Sequence, residues 1–181
     1  MQVAIIGTGK QVAAALGQVD GEPVSAKATP TQQSAKTQDQ LAVAQVSREF
    51  MGRFVQFINT ADPTLATELV SPQAEFFVPG RPDPVIGPTG YLEIIHMMRS
   101  GFPDIQWALE ETIAEGDKVV ARFTMRGTHQ GRFFGTPPSG KKITVQALNI
   151  YRFCDGKIVE ERGQPDLLSM LQQIGAIPTL Q

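Results

Sequence analysis

Little in this chain supports metal or thiol chemistry. It has a single cysteine, Cys154, in 181 residues, so no internal disulfide can form and Cys-rich zinc sites are excluded. Two histidines, His96 and His129, are too few for a His-cluster site, and no metal is expected. There is also no surplus of positive charge. Lys and Arg number 16 against 18 Asp and Glu, for a net charge of −2. A nucleic-acid partner is therefore not expected, because binding a polyanion needs excess Lys and Arg. No apolar run approaches the roughly 18–20 residues of a membrane span, so no membrane partner is expected either.

Several catalytic signatures are missing. No GxSxG elbow, Cys/His nucleophile pair or Gly-rich phosphate cradle is present. The opening VAIIGTGK imitates a dinucleotide turn, but Val12 occupies the third glycine position and no second strand follows. No cofactor is expected. The same segment is too short and too interrupted, by Lys10, for a signal peptide. A cytoplasmic location is the default expectation.

What is present is an ordinary folding composition, with 41% hydrophobic and 19% charged residues. Residues 20–40 contain one Val and no other large apolar side chain, so they read as linker. The chain divides into a flexible N-terminal segment, 1–43, and a domain, 44–178. Leu41, Ala44, Phe50, Met51, Phe54, Val55, Phe57 and Ile58 recur near helical spacing and predict a long first helix. Asp62-Pro63 reads as the cap and first residue of a second helix through Val70. AEFFV (74–78) reads as a strand and PGRPDPVIGPTG as a loop. YLEIIHMMRSGF (91–102) reads as a third helix.

After Pro103 the hydrophobic period becomes two. Four strands form a meander with turns at Gly116-Asp117 and Asp155-Gly156. PDLLSMLQQIG closes the domain as a helix ending at Gly175. Helices segregated from an antiparallel sheet make an α+β domain. A curved sheet wrapped on a long helix leaves a pocket between them.

Alternation places Val119, Ala121, Phe123, Met125, Gly127 and His129 on one face. On the next strand it groups Ile143, Val145, Ala147, Asn149, Tyr151 and Phe153. The opposite face carries Leu148 and Ile150, which points to a second copy of the chain. Asn149 needs a hydrogen-bond partner in protein, water or ligand. Asp166 reads as a helix cap. At the pocket end of its strand it could also move protons, since apolar surroundings raise a carboxyl pKa. His129 reads as a rim histidine or a polar contact. Only one each of Glu110–Glu111 and Glu160–Glu161 can face inward, and unbroken alternation makes Glu160 the inward member of the second pair.

Three segments in this order and spacing, GDKVVARFTMRGTHQGRFFGTPPSGK, YRFCDGKIVEE and DLLSMLQQIG, resemble the SnoaL-like polyketide cyclase (ester cyclase) family. That family lies within the nuclear transport factor 2-like superfamily. The resemblance covers residues 44–178. It implies a cone-shaped cavity beside the first helix, homodimers or higher homo-oligomers through the sheet, and a hydrophobic small-molecule substrate. It also implies cofactor-free intramolecular aldol cyclisation driven by one acid/base carboxylate, at the position of Asp166. His129 and Asn149 would orient or polarise carbonyls. Phe54, Ile58, Phe76, Trp107, Phe123, Met125 and Tyr151 would form the pocket walls. Arg162 stands where the family commonly has an aromatic residue, and Pro165 where a bulky one is common; both are expected at the pocket mouth. Two other functions fit the same fold. One is a non-catalytic module that binds a small ligand or a protein. The other is a hydratase or epoxide-opening enzyme, which needs a second carboxylate or a positioned water near Asp166, with Glu160 as the same-face candidate carboxylate.

Overall fold

The computed structural model describes residues 30–179, with side chains from residue 45 onward. Expectations about residues 1–29 lie outside the described residues. The first helix, α1, spans Pro30–Thr60. It begins inside the stretch that its composition marks as linker. Ala, Gln and Lys are good helix formers, so a helix there needs no apolar face. Met51, Phe54, Phe57 and Ile58 are buried, and their spacing gives α1 one apolar side against the sheet.

Helix α2 (Pro63–Leu69) is capped by Asp62, whose carboxylate accepts from the Thr64 N–H at 2.8 Å. Strand β1 follows as Val70–Phe77, longer than AEFFV alone. A short strand β2 (Val85–Ile86) lies in the segment expected to be only loop, and it pairs antiparallel with Glu75 and Phe76. Helix α3 is Gly87–Gly101. The meander is β3 (Gln106–Glu115), β4 (Lys118–Thr128), β5 (Lys142–Cys154) and β6 (Lys157–Pro165). Helix α4 (Leu167–Ile174) ends on Gly175 at φ 83°.

The six strands form one sheet in the order β2-β1-β6-β5-β4-β3. It is not purely antiparallel, because β1 runs parallel to β6. This α+β architecture agrees with the fold class read from the sequence. The β5–β6 turn places Asp155 at φ 50° and Gly156 at φ 72°. That left-handed pair is what a two-residue Asp-Gly hairpin requires. β6 stops opposite Ala147, which leaves the end of β5 unpaired on that side. Gln173 of α4 covers the gap. Its amide accepts from the Thr144 N–H at 2.8 Å and donates to the Thr144 carbonyl at 2.9 Å. At the other edge, Asn59 of α1 holds the Trp107 N–H and C=O, each at 2.8 Å. These two amides help fix the frame around the space between helices and sheet. Among the described residues, no helix is long and apolar enough to cross a membrane.

Candidate active site

A cavity of about 220 Å³ lies between the concave face of the sheet and helices α1, α3 and α4. The alternation on β4 and β5 holds along both strands. Phe123↔Ala147 and Met125↔Val145 are direct pairs, and Phe123, Met125, Ala147 and Tyr151 are all buried. Of the expected wall residues, Ile58, Trp107, Phe123, Met125 and Tyr151 line the cavity. Phe54 and Phe76 do not line it and form the layer behind. Their rings pack 5.5 Å and 4.5 Å from the ring of Tyr91, which does line it.

His129 is fully buried away from the cavity lining. Its Nδ1 accepts from the Ser139 N–H at 3.2 Å and lies 3.0 Å from Ser139 Oγ. The His129 N–H and C=O bond to Lys141 and Gly140. It thus ties the two ends of the β4–β5 loop together, and that loop delivers Phe133 and Phe134 to the cavity. Asp166 is exposed, and its carboxylate accepts from the Ser169 N–H at 2.9 Å as the cap of α4. The cavity lining passes through its neighbours Pro165 and Leu167 but does not include Asp166. Arg162 is not at the mouth either. It lies on the outer face with its guanidinium 4.1 Å over the Phe77 ring and its Nε 3.0 Å from Glu160.

The carboxylate that lines the cavity, alone among the described residues, is Glu161. Strict alternation from buried Ile158 would point Glu160 inward and Glu161 outward. The ladder shows otherwise. Phe153 pairs with Ile158, yet Arg152 pairs with Glu160 and Tyr151 with Glu161, so Val159 is one extra residue. This bulge reverses the parity of everything after it. Glu160 goes to the outer face, so it is not available as the second carboxylate of the hydratase reading. Glu161 is only 5% exposed.

Burial pushes the Glu161 carboxyl up to about 8, from an ordinary 4.5, because the charged form loses its water. The neighbouring hydroxyls of Tyr91 and Tyr151 and the Asn149 amide pull the other way. Of these, only the Asn149 contact has full hydrogen-bond geometry. Asn149 Nδ2 donates to Glu161 Oε1 at 2.8 Å and to the Tyr151 hydroxyl oxygen at 3.1 Å. The Asn149 Oδ1 accepts from the Gln164 N–H at 3.2 Å, which sets the amide orientation. Glu161 Oε2 is buried without a partner. Both tyrosines are raised well above the usual phenol range, first by burial and next by the charge of Glu161, so they remain hydroxyl donors. Room for the group comes from Gly163. A Cβ there would stand 3.2 Å from Glu161 Oε1 and 3.6 Å from Asn149 Oδ1.

The chain matches the SnoaL-like polyketide cyclase family model over residues 48–174. It belongs to the SnoaL-like polyketide cyclase family. It is 32% identical over 91 residues to a nogalonic acid methyl ester cyclase of Streptomyces nogalater, covering 49% of this chain and 67% of that one. It is 27% identical over 132 residues to an aklanonic acid methyl ester cyclase of Streptomyces peucetius, covering 70% and 89%. Among solved structures, TsrD from Streptomyces laurentii superposes with a TM-score of 0.65 at 28% identity, over 74% of this chain and 97% of that one. Wild-type IdmH from Streptomyces antibioticus gives 0.64 at 30% identity, over 71% and 97%. A cyclase-type function for this SnoaL-like domain follows. The candidate site consists of one buried carboxyl, one amide and two phenols in a mostly apolar cavity, with Arg81 also in its lining. Among the described residues, no cluster of three or more His, Cys, Asp or Glu is placed to hold a metal ion.

Proposed function

We propose that this SnoaL-like domain closes a ring in an oxygenated, polyketide-like hydrophobic molecule by intramolecular aldol reaction, with Glu161 as acid/base in place of Asp166. The observation that carries this reading is the buried, unpartnered Oε2 of Glu161 in an apolar cavity. The Glu161 carboxylate removes a proton from a carbon flanked by carbonyls. The resulting enolate carbon attacks a second carbonyl carbon of the same molecule and forms the new C–C bond. The alkoxide produced takes the proton back from Glu161, so the step needs no outside reactant. A carboxyl near 8 is a far stronger base than a solvated one and is still able to return its proton near neutral pH. The Tyr91 and Tyr151 hydroxyls are the candidate donors to the enolate oxygen. Asn149 holds the carboxyl and one phenol in register.

The test is a pair of variants assayed on nogalonic and aklanonic acid methyl esters, the compounds in the relatives' names, and on the corresponding free acids. Glu161→Gln is expected to lose turnover by roughly a thousandfold, while Asp166→Ala stays near wild type. Turnover retained in Glu161→Gln, or lost only in Asp166→Ala, would overturn the assignment. We also infer a homodimer through the sheet, supported by the exposure of Leu148 and Ile150 on the outer face. Leu148→Glu with Ile150→Glu should convert a dimer to a monomer in sedimentation.

A further inference from the structure

Glu161 sits on the floor of the cavity. The lining residues that are also exposed are Gly80, Arg81, Met97 and Phe134, and they mark its opening. Arg81 is the one cation among the described lining residues. It lies in the β1–β2 loop, held by a bond from its own N–H to the Val78 carbonyl. Arg53, Arg122, Arg152 and Arg162 each face a carboxylate. Arg99 and Arg132 donate to backbone carbonyls. The Arg81 guanidinium, like those of Arg48 and Arg126, has neither kind of partner among the described residues, and of the three only Arg81 lines the cavity. Burial favours the protonated form of the floor carboxyl, so Glu161 offers an entering anion little repulsion. A guanidinium is a planar fork that grips paired oxygens.

We propose that Arg81 is a specificity-determining residue that binds an anionic oxygen group, a carboxylate or an acidic phenol, at the end of the substrate nearest the opening. This rests on the reading of the cavity as the substrate site. Such a group differs in charge from the esters for which two of the relatives are named. The cyclases of Streptomyces nogalater and Streptomyces peucetius are named for methyl esters, in which the carboxyl charge is masked.

Trp107 reports on binding directly, being the single tryptophan of the chain and part of the cavity wall. Quenching of its fluorescence is measured with anthraquinone-2-carboxylate and with the methyl ester of the same acid. Wild type is expected to bind the acid at least tenfold more tightly than the ester, and added salt should weaken only the acid. Arg81→Met should remove that preference and leave the ester affinity within about twofold. Equal affinities in wild type, a preference that survives in Arg81→Met, or no quenching by either probe would overturn the proposal. Binding discrimination without any Glu161-dependent turnover would keep this inference and sink the cyclase reading instead.

Discussion

Strands β5 and β6 are neighbours in one sheet, and they differ in how faithfully sequence alternation reports their faces. β5 pairs with β4 residue for residue from Lys142 to Arg152 without a register shift. Each inward position read from its pattern is inward in the structure. β6 carries one extra residue at Val159, and beyond it every face is reversed. In the proposed reaction the difference decides which carboxyl can act. The unbulged strand supplies Asn149 and Tyr151, while the bulged one supplies the carboxyl they address. A sheet can thus hold a regular wall and an irregular, functional strand side by side. The bulge lets an ionisable residue enter an apolar interior at a position where simple periodicity would exclude it.

The largest expected effect separates the two acidic neighbours on β6. Glu161→Gln should abolish turnover, whereas Glu160→Gln should leave it within about twofold, because Glu160 meets only Arg162 on the outer face. Equal losses in steady-state assays would erase the contrast between the two faces. The next effect is on stability. The Glu161 pKa is raised in the folded state, so the folded protein keeps a proton that the unfolded chain releases above about 4.5. Stability is therefore full at low pH and falls as pH rises from about 4.5 to about 8, by about 1.4 kcal/mol per unit. Glu161→Gln removes that slope. Urea denaturation should find it close to wild type at pH 4 and clearly more stable at pH 9.

Asn149→Ala on β5 takes away the one well-formed bond to Glu161 Oε1. That bond favours the charged form, so the acidic limb of the activity profile should move to higher pH and kcat should fall at pH 7. Deleting Val159 sharpens the comparison further. Without the extra residue, plain alternation still puts Glu161 opposite Tyr151. The deletion variant is expected to keep the raised Glu161 pKa and measurable turnover. The smallest effect is at the helix cap. Asp166→Ala should cost about 1 kcal/mol in denaturant titration with the activity profile unmoved.

Much of this was legible in the residues. The Asp-Gly hairpin, the Asp62-Pro63 helix start and the inward set of β4 follow from local chemistry and spacing, and the family from the resemblance of three segments. The mixed sheet was not legible, because β1 reaches β6 through a parallel pairing that no local pattern encodes. The proposed acid/base was not legible for a sharper reason. Asp166 has the look of a reacting carboxylate by position in its motif, yet the start of α4 uses its oxygens as a cap. Glu161 stood in plain view beside Glu160, and one unpaired residue upstream decided which of the two turns inward. His129 was legible as an inward residue but not as a loop tie, since its partners lie across a hairpin loop.

The most direct measurement is a carbon-13 NMR titration of the glutamate side-chain carboxyls, with Glu161→Gln used to assign the resonance. The Glu161 signal should titrate near 8. A midpoint near 4.5 would place Glu161 in water, contradict its role as the cavity acid/base, and remove the reason for reading the bulge in β6 as functional.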